Sequence, residues 1–248
     1  MSLARDMARA FDPVLMMADY GVTADRWQAD VLRQDPRRTL LLCSRQSGKT
    51  EVAICKALHT AIYQPPALVV ILSPSQRQSG ELFRRLMLCH QRLEGAPELI
   101  AESALRAELS NGSRILALPG SERTVRGIAG VDLLIADEAA RIPDELMTAG
   151  RPMMATRPDA RMMALTTPAG KRGWFFEAWH GGDTWARVRV PATDCPRISA
   201  EFLAEELREL GPTRFGEEYN LEFYDDQEAA FPTAIIDAAF SAEVSPLW

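Results

Sequence analysis

Four short apolar runs punctuate the chain, Leu40–Leu42, Ala67–Leu72, Val131–Ala136 and Met162–Leu165. They lack the alternation of a half-exposed strand, so each fits a strand covered on both faces. Helical periodicity follows each of them. Val52, Ile54, Cys55, Leu58 and Ile62 come after the first, and Gln76 to about Leu93 after the second. Pro143 opens a helix through Leu146 and Met147 after the third, and Gly173–Trp179 is a short aromatic helix after the fourth. Trp185–Val190 reads as a fifth strand. Strands alternating with helices predict an α/β fold with a mainly parallel sheet. Residues 99–118 break the pattern: short alternating runs flank Asn111-Gly112, which predicts an antiparallel hairpin with Arg114–Leu118 returning.

The two ends of the chain read differently. Residues 2–20 predict a helix with apolar positions Leu3, Met7, Phe11, Leu15 and Met16, interrupted by Pro13 and ended by Gly21. Thr23 or Asp25 caps a second helix with Trp27, Val31 and Leu32 on one face. Ser199 caps an acidic helix (Phe202, Leu203, Leu207, Leu210) that Gly211-Pro212 stops. Thr213–Tyr219 reads as helical, Leu221–Tyr224 as extended, and Phe231-Pro232 as the lead into a last short helix.

Composition narrows the class. The 248 residues, 47% hydrophobic and 25% charged, suit a globular protein with a sizeable interior. No apolar run reaches the length of a membrane span, and the N-terminus has no signal-peptide core. Cys43, Cys55, Cys89 and Cys195 show no metal-ligand spacing, so a reducing cytoplasm is the expected compartment. The net charge of −6 conceals an asymmetry: residues 199–248 hold 12 acids against 2 arginines, leaving 26 basic and 22 acidic residues, a net of +4, in residues 1–198. A polyanion is therefore expected to meet the earlier part of the chain.

Thr39–Thr50, TLLLCSRQSGKT, carries the strongest chemical signal. A buried strand, a tight segment and a helix start make an anion site suited to a triphosphate. Gly48 lets the backbone approach phosphates, Lys49 reaches the β/γ oxygens, and the Thr50 hydroxyl can ligate Mg²⁺. Cys43 stands where the generic motif has its first glycine. Asp137-Glu138 ends the third buried strand, where open α/β sheets bind ligands. Asp137 can hold a magnesium shell and Glu138 can polarise a water. Gln28 offers a donor and an acceptor matching an adenine edge, and equally reads as a surface glutamine beside the core residue Trp27. Thr166 and Thr167 end the fourth run, where hydroxyls can sense a γ-phosphate or form an ordinary turn. Arg77, Arg84 and Arg85 suit either nucleic acid or a solvated helix face.

Several segments in order resemble the ATPase domain of the large terminase subunit of tailed bacteriophages, a DNA-packaging motor. They are RWQADVL at 26–32, CSRQSGKT at 43–50, SNGSRILALPG at 110–120, TVRGIAGVDLLIADEAA at 124–140, LTTPAGKRGWFFEAW at 165–179 and EEYNLEFYDD at 217–226. The resemblance implies a RecA-like P-loop NTPase with a three-layer core at 37–198. An adenine-recognition segment at 1–36 and a small acidic helical lid at 199–248 complete the expected organisation. It implies ATP and Mg²⁺ as cofactors. Trp27, Gln28, Arg45, Gln46, Ser47, Gly48, Lys49 and Thr50 would lie at the nucleotide, with Thr50 and Asp137 at the metal. Glu138 would be the catalytic glutamate, Arg45 a phosphate-loop arginine acting in cis, Thr166 and Thr167 the coupling motif, and Arg126 an arginine reaching the neighbouring subunit's nucleotide. Double-stranded DNA, a portal protein, a small terminase subunit and a homo-oligomeric ring are the implied partners, in the cytoplasm of the bacterial host.

Family members carry a nuclease domain after the ATPase domain. Asp225, Asp226 and Asp237 lack the strands such a site needs, so no DNA cleavage is expected from this chain. Lys171 and Arg172 are further candidates for DNA contact. Two other functions compete: an ATP-gated assembly module with little hydrolysis, and a single-core DEAD-like helicase, a type that needs two such cores.

Overall fold

A computed structural model describes residues 3–120, 125, 127–182 and 184–225. After two short helices, α1 (Leu3–Phe11) and α2 (Val14–Asp19), the chain forms α3 (Arg26–Gln34), β1 (Arg38–Cys43), α4 (Lys49–Tyr63), β2 (Leu68–Ser73) and α5 (Gln76–Arg92). Next come β3 (Leu99–Ser103), β4 (Arg106–Leu109), β5 (Arg114–Pro119) and β6 (Leu133–Asp137). α6 (Asp144–Gly150), β7 (Arg161–Thr166), α7 (Gly173–His180), β8 (Ala186–Val190) and α8 (Ala200–Phe215) complete the order.

All six residues of β2 and all five of β6 are buried, because helices cover both faces of the sheet. Side chains alternate across the strand. Leu41, Ile71, Ile135 and Leu165 therefore pack with Val52, Leu58 and Leu86 in one layer, while Leu40, Leu42, Val70 and Leu134 pack with Leu146, Met147 and Phe175 in the other. The eight strands run in the order β3-β4-β5-β2-β6-β7-β1-β8. Pairs from β5 to β8 across the sheet are parallel, and β3–β4 and β4–β5 are antiparallel. The expected hairpin turns at Asn111-Gly112, with Gly112 at φ 84°. Asn111 Nδ2 fastens it to the end of α4 by donating to the Ala61 carbonyl at 2.9 Å.

The N-terminal stripe does not face the core. Leu3, Met7 and Phe11 are 75%, 52% and 85% exposed, and only Met16 of the expected positions is fully buried. Polar contacts set the orientation of α1. Arg9 is buried, pairs with Asp19 and donates to the Glu94 carbonyl at 2.8 Å, and Asp6 accepts from the Tyr63 hydroxyl at 2.9 Å. Burying an arginine is tolerable only with its partners in place, so these contacts turn the apolar stripe outward.

α8 contains no buried residue and kinks at Gly211, where φ is 73° and ψ 167°. Its C-terminal end passes into a π turn at Gly216–Asn220. Asp226, Asp237 and the expected last short helix lie outside the described residues. Among those described, no helix is long and apolar enough to cross a membrane.

Lys56, on α4, is sealed in the core with 4% side-chain exposure and pairs with Asp35, which also takes Arg161 Nε at 3.0 Å. Burial lowers the Lys56 pKa and Asp35 opposes that shift. Asp35 caps α3 at φ 41°, a conformation asparagine tolerates. Asp35→Asn removes the charge alone. It is expected to cost roughly 2–3 kcal/mol, less than the ~3–5 of a fully buried pair because Asp35 is partly wet. The check is a lower urea midpoint with an unchanged slope.

Candidate nucleotide site

The segment Ser44–Gly48 leaves β1 between β7 and β8 and is curled by its own bonds. Ser47 Oγ donates to the Ser44 carbonyl at 2.8 Å, and Ser44 N–H donates to Val190 at the end of β8 at 3.0 Å. Gln46 and Gly48 take φ of 59° and 87°, which lets the chain turn abruptly into α4. Gly48 is required twice over: besides its positive φ, a Cβ there would lie 2.7 Å from Gln28 Nε2 and 3.0 Å from Arg197 Nη2.

Those two side chains brace the loop from outside. Gln28 is buried, accepts from Asp25 N–H at 2.8 Å and donates to the Gly48 carbonyl at 3.0 Å. Its amide faces the loop and does not line the cavity described below. Trp27 is half-buried against the core. Arg197 donates to the Ser47 carbonyl at 2.9 Å and pairs with Asp25 at 2.6 Å. Arg45 is exposed and lies 3.0 Å from Glu218, while its N–H donates to the Glu218 carbonyl at 3.1 Å.

Loop residues Arg45–Gly48, the first three residues of α4 and Arg85 enclose a concavity of about 350 Å³. Arg85, a DNA candidate by sequence, reaches this cavity from α5 and pairs with Glu51. Arg84 is paired with Glu81 along its own helix at 2.7 Å.

Two strands away, β6 delivers Asp137 and Glu138 to the same edge. Asp137 is 7% exposed and its Oδ1 has no hydrogen-bond partner among the described residues. Burial, then the neighbouring Glu138, pushes its carboxyl up to about 6, against the pull of Lys49. An orphaned buried carboxylate oxygen is the donor a hard cation seeks, so the chemistry of Asp137 fits a magnesium ligand. Glu138 holds the left-handed conformation at φ 52°. Its two oxygens meet Lys49 Nζ at 3.2 Å and Arg141 Nη1 at 3.2 Å.

Arg141, which the sequence did not single out, also donates to Thr167 Oγ1 at 2.9 Å. Thr166 Oγ1 donates to the Thr167 carbonyl at 2.7 Å and accepts from Ala140 N–H at 3.3 Å. Glu138 and the two threonines thus form one connected set. Lys171 lies 3.5 Å from Asp225. Arg126 lies outside the described residues.

A glycine-capped loop between a buried strand and a helix, facing an acidic pair on a mostly parallel sheet covered on both faces, is the architecture of a RecA-like α/β fold. The family model "Terminase large subunit, T4likevirus-type, N-terminal" matches residues 40–237, and the chain belongs to that family. The large terminase subunit of Thermus virus P23-45 is 28% identical over 179 residues, 62% of this chain and 36% of its own length. The chain thus spans about a third of that relative. The Thermus phage P74-26 large terminase ATPase domain has the same fold, with TM-score 0.73 and 23% identity over 84% of this chain and 96% of that one. The large terminase of thermophilic bacteriophage D6E in complex with ATP-gamma-S gives 0.62 and 13% over 80% and 52%.

Gly48→Ala is expected to destabilise the protein by about 1–3 kcal/mol through backbone strain and the clash with Gln28. Differential scanning calorimetry should show a lower Tm, with partial recovery in Gly48→Ala/Gln28→Ala if the clash contributes.

Proposed function

We propose that the chain hydrolyses ATP in the motor that drives double-stranded viral DNA into a procapsid. The observation that carries this reading is the Lys49–Glu138 contact of 3.2 Å at the loop edge. Lys49 is the natural counterion of a triphosphate. A nucleotide that draws it away leaves Glu138 with Arg141 alone and free to act on water. An assembly module that only binds ATP has no need of a carboxylate held this way.

In this reading Gly48 and the loop N–H groups seat the phosphates, and Lys49 neutralises their β/γ oxygens. Asp137 and Thr50 would hold magnesium, which supplies positive charge against the transferring phosphoryl group. Glu138 orients the water and takes its proton. Arg141 carries the state of Glu138 to Thr167, a material basis for coupling hydrolysis to movement. Arg45 contacts the nucleotide on leaving Glu218. Gln28 and Trp27 serve adenine by positioning the loop or by a shift of the Gln28 amide away from Gly48. Arg126 acts on a neighbouring copy's nucleotide in a ring. The relative crystallised with ATP-gamma-S supports nucleotide binding, and family membership supports DNA, portal protein and small subunit as partners in the host cytoplasm.

Lys49→Ala is expected to abolish ATP uptake in calorimetry of folded protein. Glu138→Gln should retain uptake and lower steady-state phosphate release by roughly 10²–10⁴. Unchanged release in Glu138→Gln would remove Glu138 from the chemistry and favour a different base.

Wild-type turnover should rise faster than linearly with protein concentration, and Arg126→Ala should lose that rise, since an arginine finger is worth roughly 10³–10⁵ in rate. Linear scaling in the wild type, from dilute to concentrated protein, would rule out action in trans.

A further inference from the structure

The opposite end of the sheet carries a second concavity, of about 240 Å³, that the nucleotide reading does not use. Arg37 and Arg38 at the start of β1, with Arg151 and Arg157 between α6 and β7, stand around it. Its floor is apolar, with Met154, Met162 and Trp185, and the Arg38 guanidinium lies 5.8 Å from the Trp185 ring centre. Arg157 is engaged with Asp132 at 3.3 Å. Arg37, Arg38 and Arg151 have no ion pair among the described residues. Three unneutralised guanidinium groups around an apolar floor call for carboxylates surrounding an apolar anchor.

The chain itself offers that chemistry. On α8, Glu201, Glu205 and Glu209 are exposed and follow one another at four-residue spacing, so they form one ridge. Phe202 lies beside them and is 39% exposed. The stretch Ala200–Leu210 ahead of the Gly211 kink buries none of its residues. Phe202 meets the Tyr219 ring edge-on at 6.1 Å and Glu206 accepts from the Tyr219 hydroxyl at 2.7 Å. A helix that short is marginal in water with so little packing.

α8 cannot serve its own pocket. Its two ends are tied to the phosphate-loop end of β1 by the Arg197–Ser47 and Arg45–Glu218 contacts. The pocket lies at the other end of that strand, roughly 16 Å away at ~3.3 Å per residue. An α8 that fills the pocket therefore comes from a second copy.

We propose that Phe202 of one copy enters the arginine pocket of the next, with Glu201, Glu205 and Glu209 against Arg37, Arg38 and Arg151. The contact is head-to-tail, the type that closes into rings when the rotation permits. It also adjoins Gly130, whose carbonyl accepts from Arg157 at 3.4 Å. The docking stands on charge and shape alone, and only its link to catalysis rests on the ATPase reading. A polynucleotide would satisfy the guanidinium groups as well, but its phosphates have no use for the methionine and tryptophan floor.

The test is sedimentation velocity on the full chain at low salt with two variants, Arg37→Glu/Arg151→Glu and Glu201→Arg/Glu205→Arg. Wild type should associate with rising concentration. Each variant should need at least about tenfold more protein to do so, and an equimolar mixture should recover wild-type association, because the reversed pocket matches the reversed ridge. ATP uptake by calorimetry in the same variants should stay unchanged, so a failure of nucleotide binding is separately visible. The proposal is overturned by a wild type that stays monomeric, by variants that associate normally, or by a mixture that fails to recover. Loss of duplex-DNA binding in the pocket variant with association intact would assign the pocket to nucleic acid instead.

Discussion

The ion pair between Lys49 and Glu138 joins the two strand ends on which the site is built. β1 and β6 are not neighbours, since β7 lies between them, so their loops meet only if the parallel sheet brings both carboxyl ends to one edge. Lys49 follows Gly48, whose φ of 87° a glycine adopts freely. Only Glu138 sits on a costly backbone, at φ 52°, where a residue with a Cβ is disfavoured. The surrounding packing maintains that strain. Asp137 anchors one side of Glu138 in the core, and Arg141 holds its second oxygen.

Around that pair the loop is held by groups remote in sequence. Gln28, Arg197 and Glu218 reach it from α3, from the segment before α8 and from the turn after α8. All three contacts are polar and lie at the rim. The strands beneath are sealed by hydrocarbon, so the sheet is the rigid part, and the loop and α8 are the parts that can rearrange for modest free energy. Under the proposed function, a nucleotide that took Lys49 and Arg45 from their carboxylates would act at both ends of this rim.

Charge follows the same division. Glu218 and α8 meet the Ser44–Gly48 end of the sheet, while Arg37, Arg38 and Arg151, which have no ion pair among the described residues, gather at the other end. The proposed docking draws on that opposition, since complementary ends favour head-to-tail contact between copies over face-to-face contact.

Much of the fold was legible from local pattern. Leu40–Leu42, Leu68–Leu72 and Leu133–Ala136 are apolar at successive positions because helices cover both faces, and that signature needs no partner to be read. The same holds for Asn111-Gly112 at its turn, Asp25 and Ser199 at their helix starts, and Gly48-Lys49-Thr50 and Asp137-Glu138 at their strand ends. Sequence alone could not orient α1, since Leu3, Met7 and Phe11 have the same spacing on a buried face as on an exposed one. The Arg9–Asp19 pair made that choice. Nor could it assign Arg85 to the cavity beside Arg45–Gly48, Arg141 to Glu138 and Thr167, or Arg197 to the Ser47 carbonyl, 150 residues away. An arginine reaches far on a flexible stem and pairs with any acceptor nearby, so its role depends on which segments the sheet brings together. Periodicity specified the elements, and three-dimensional packing chose the partners of the long polar side chains.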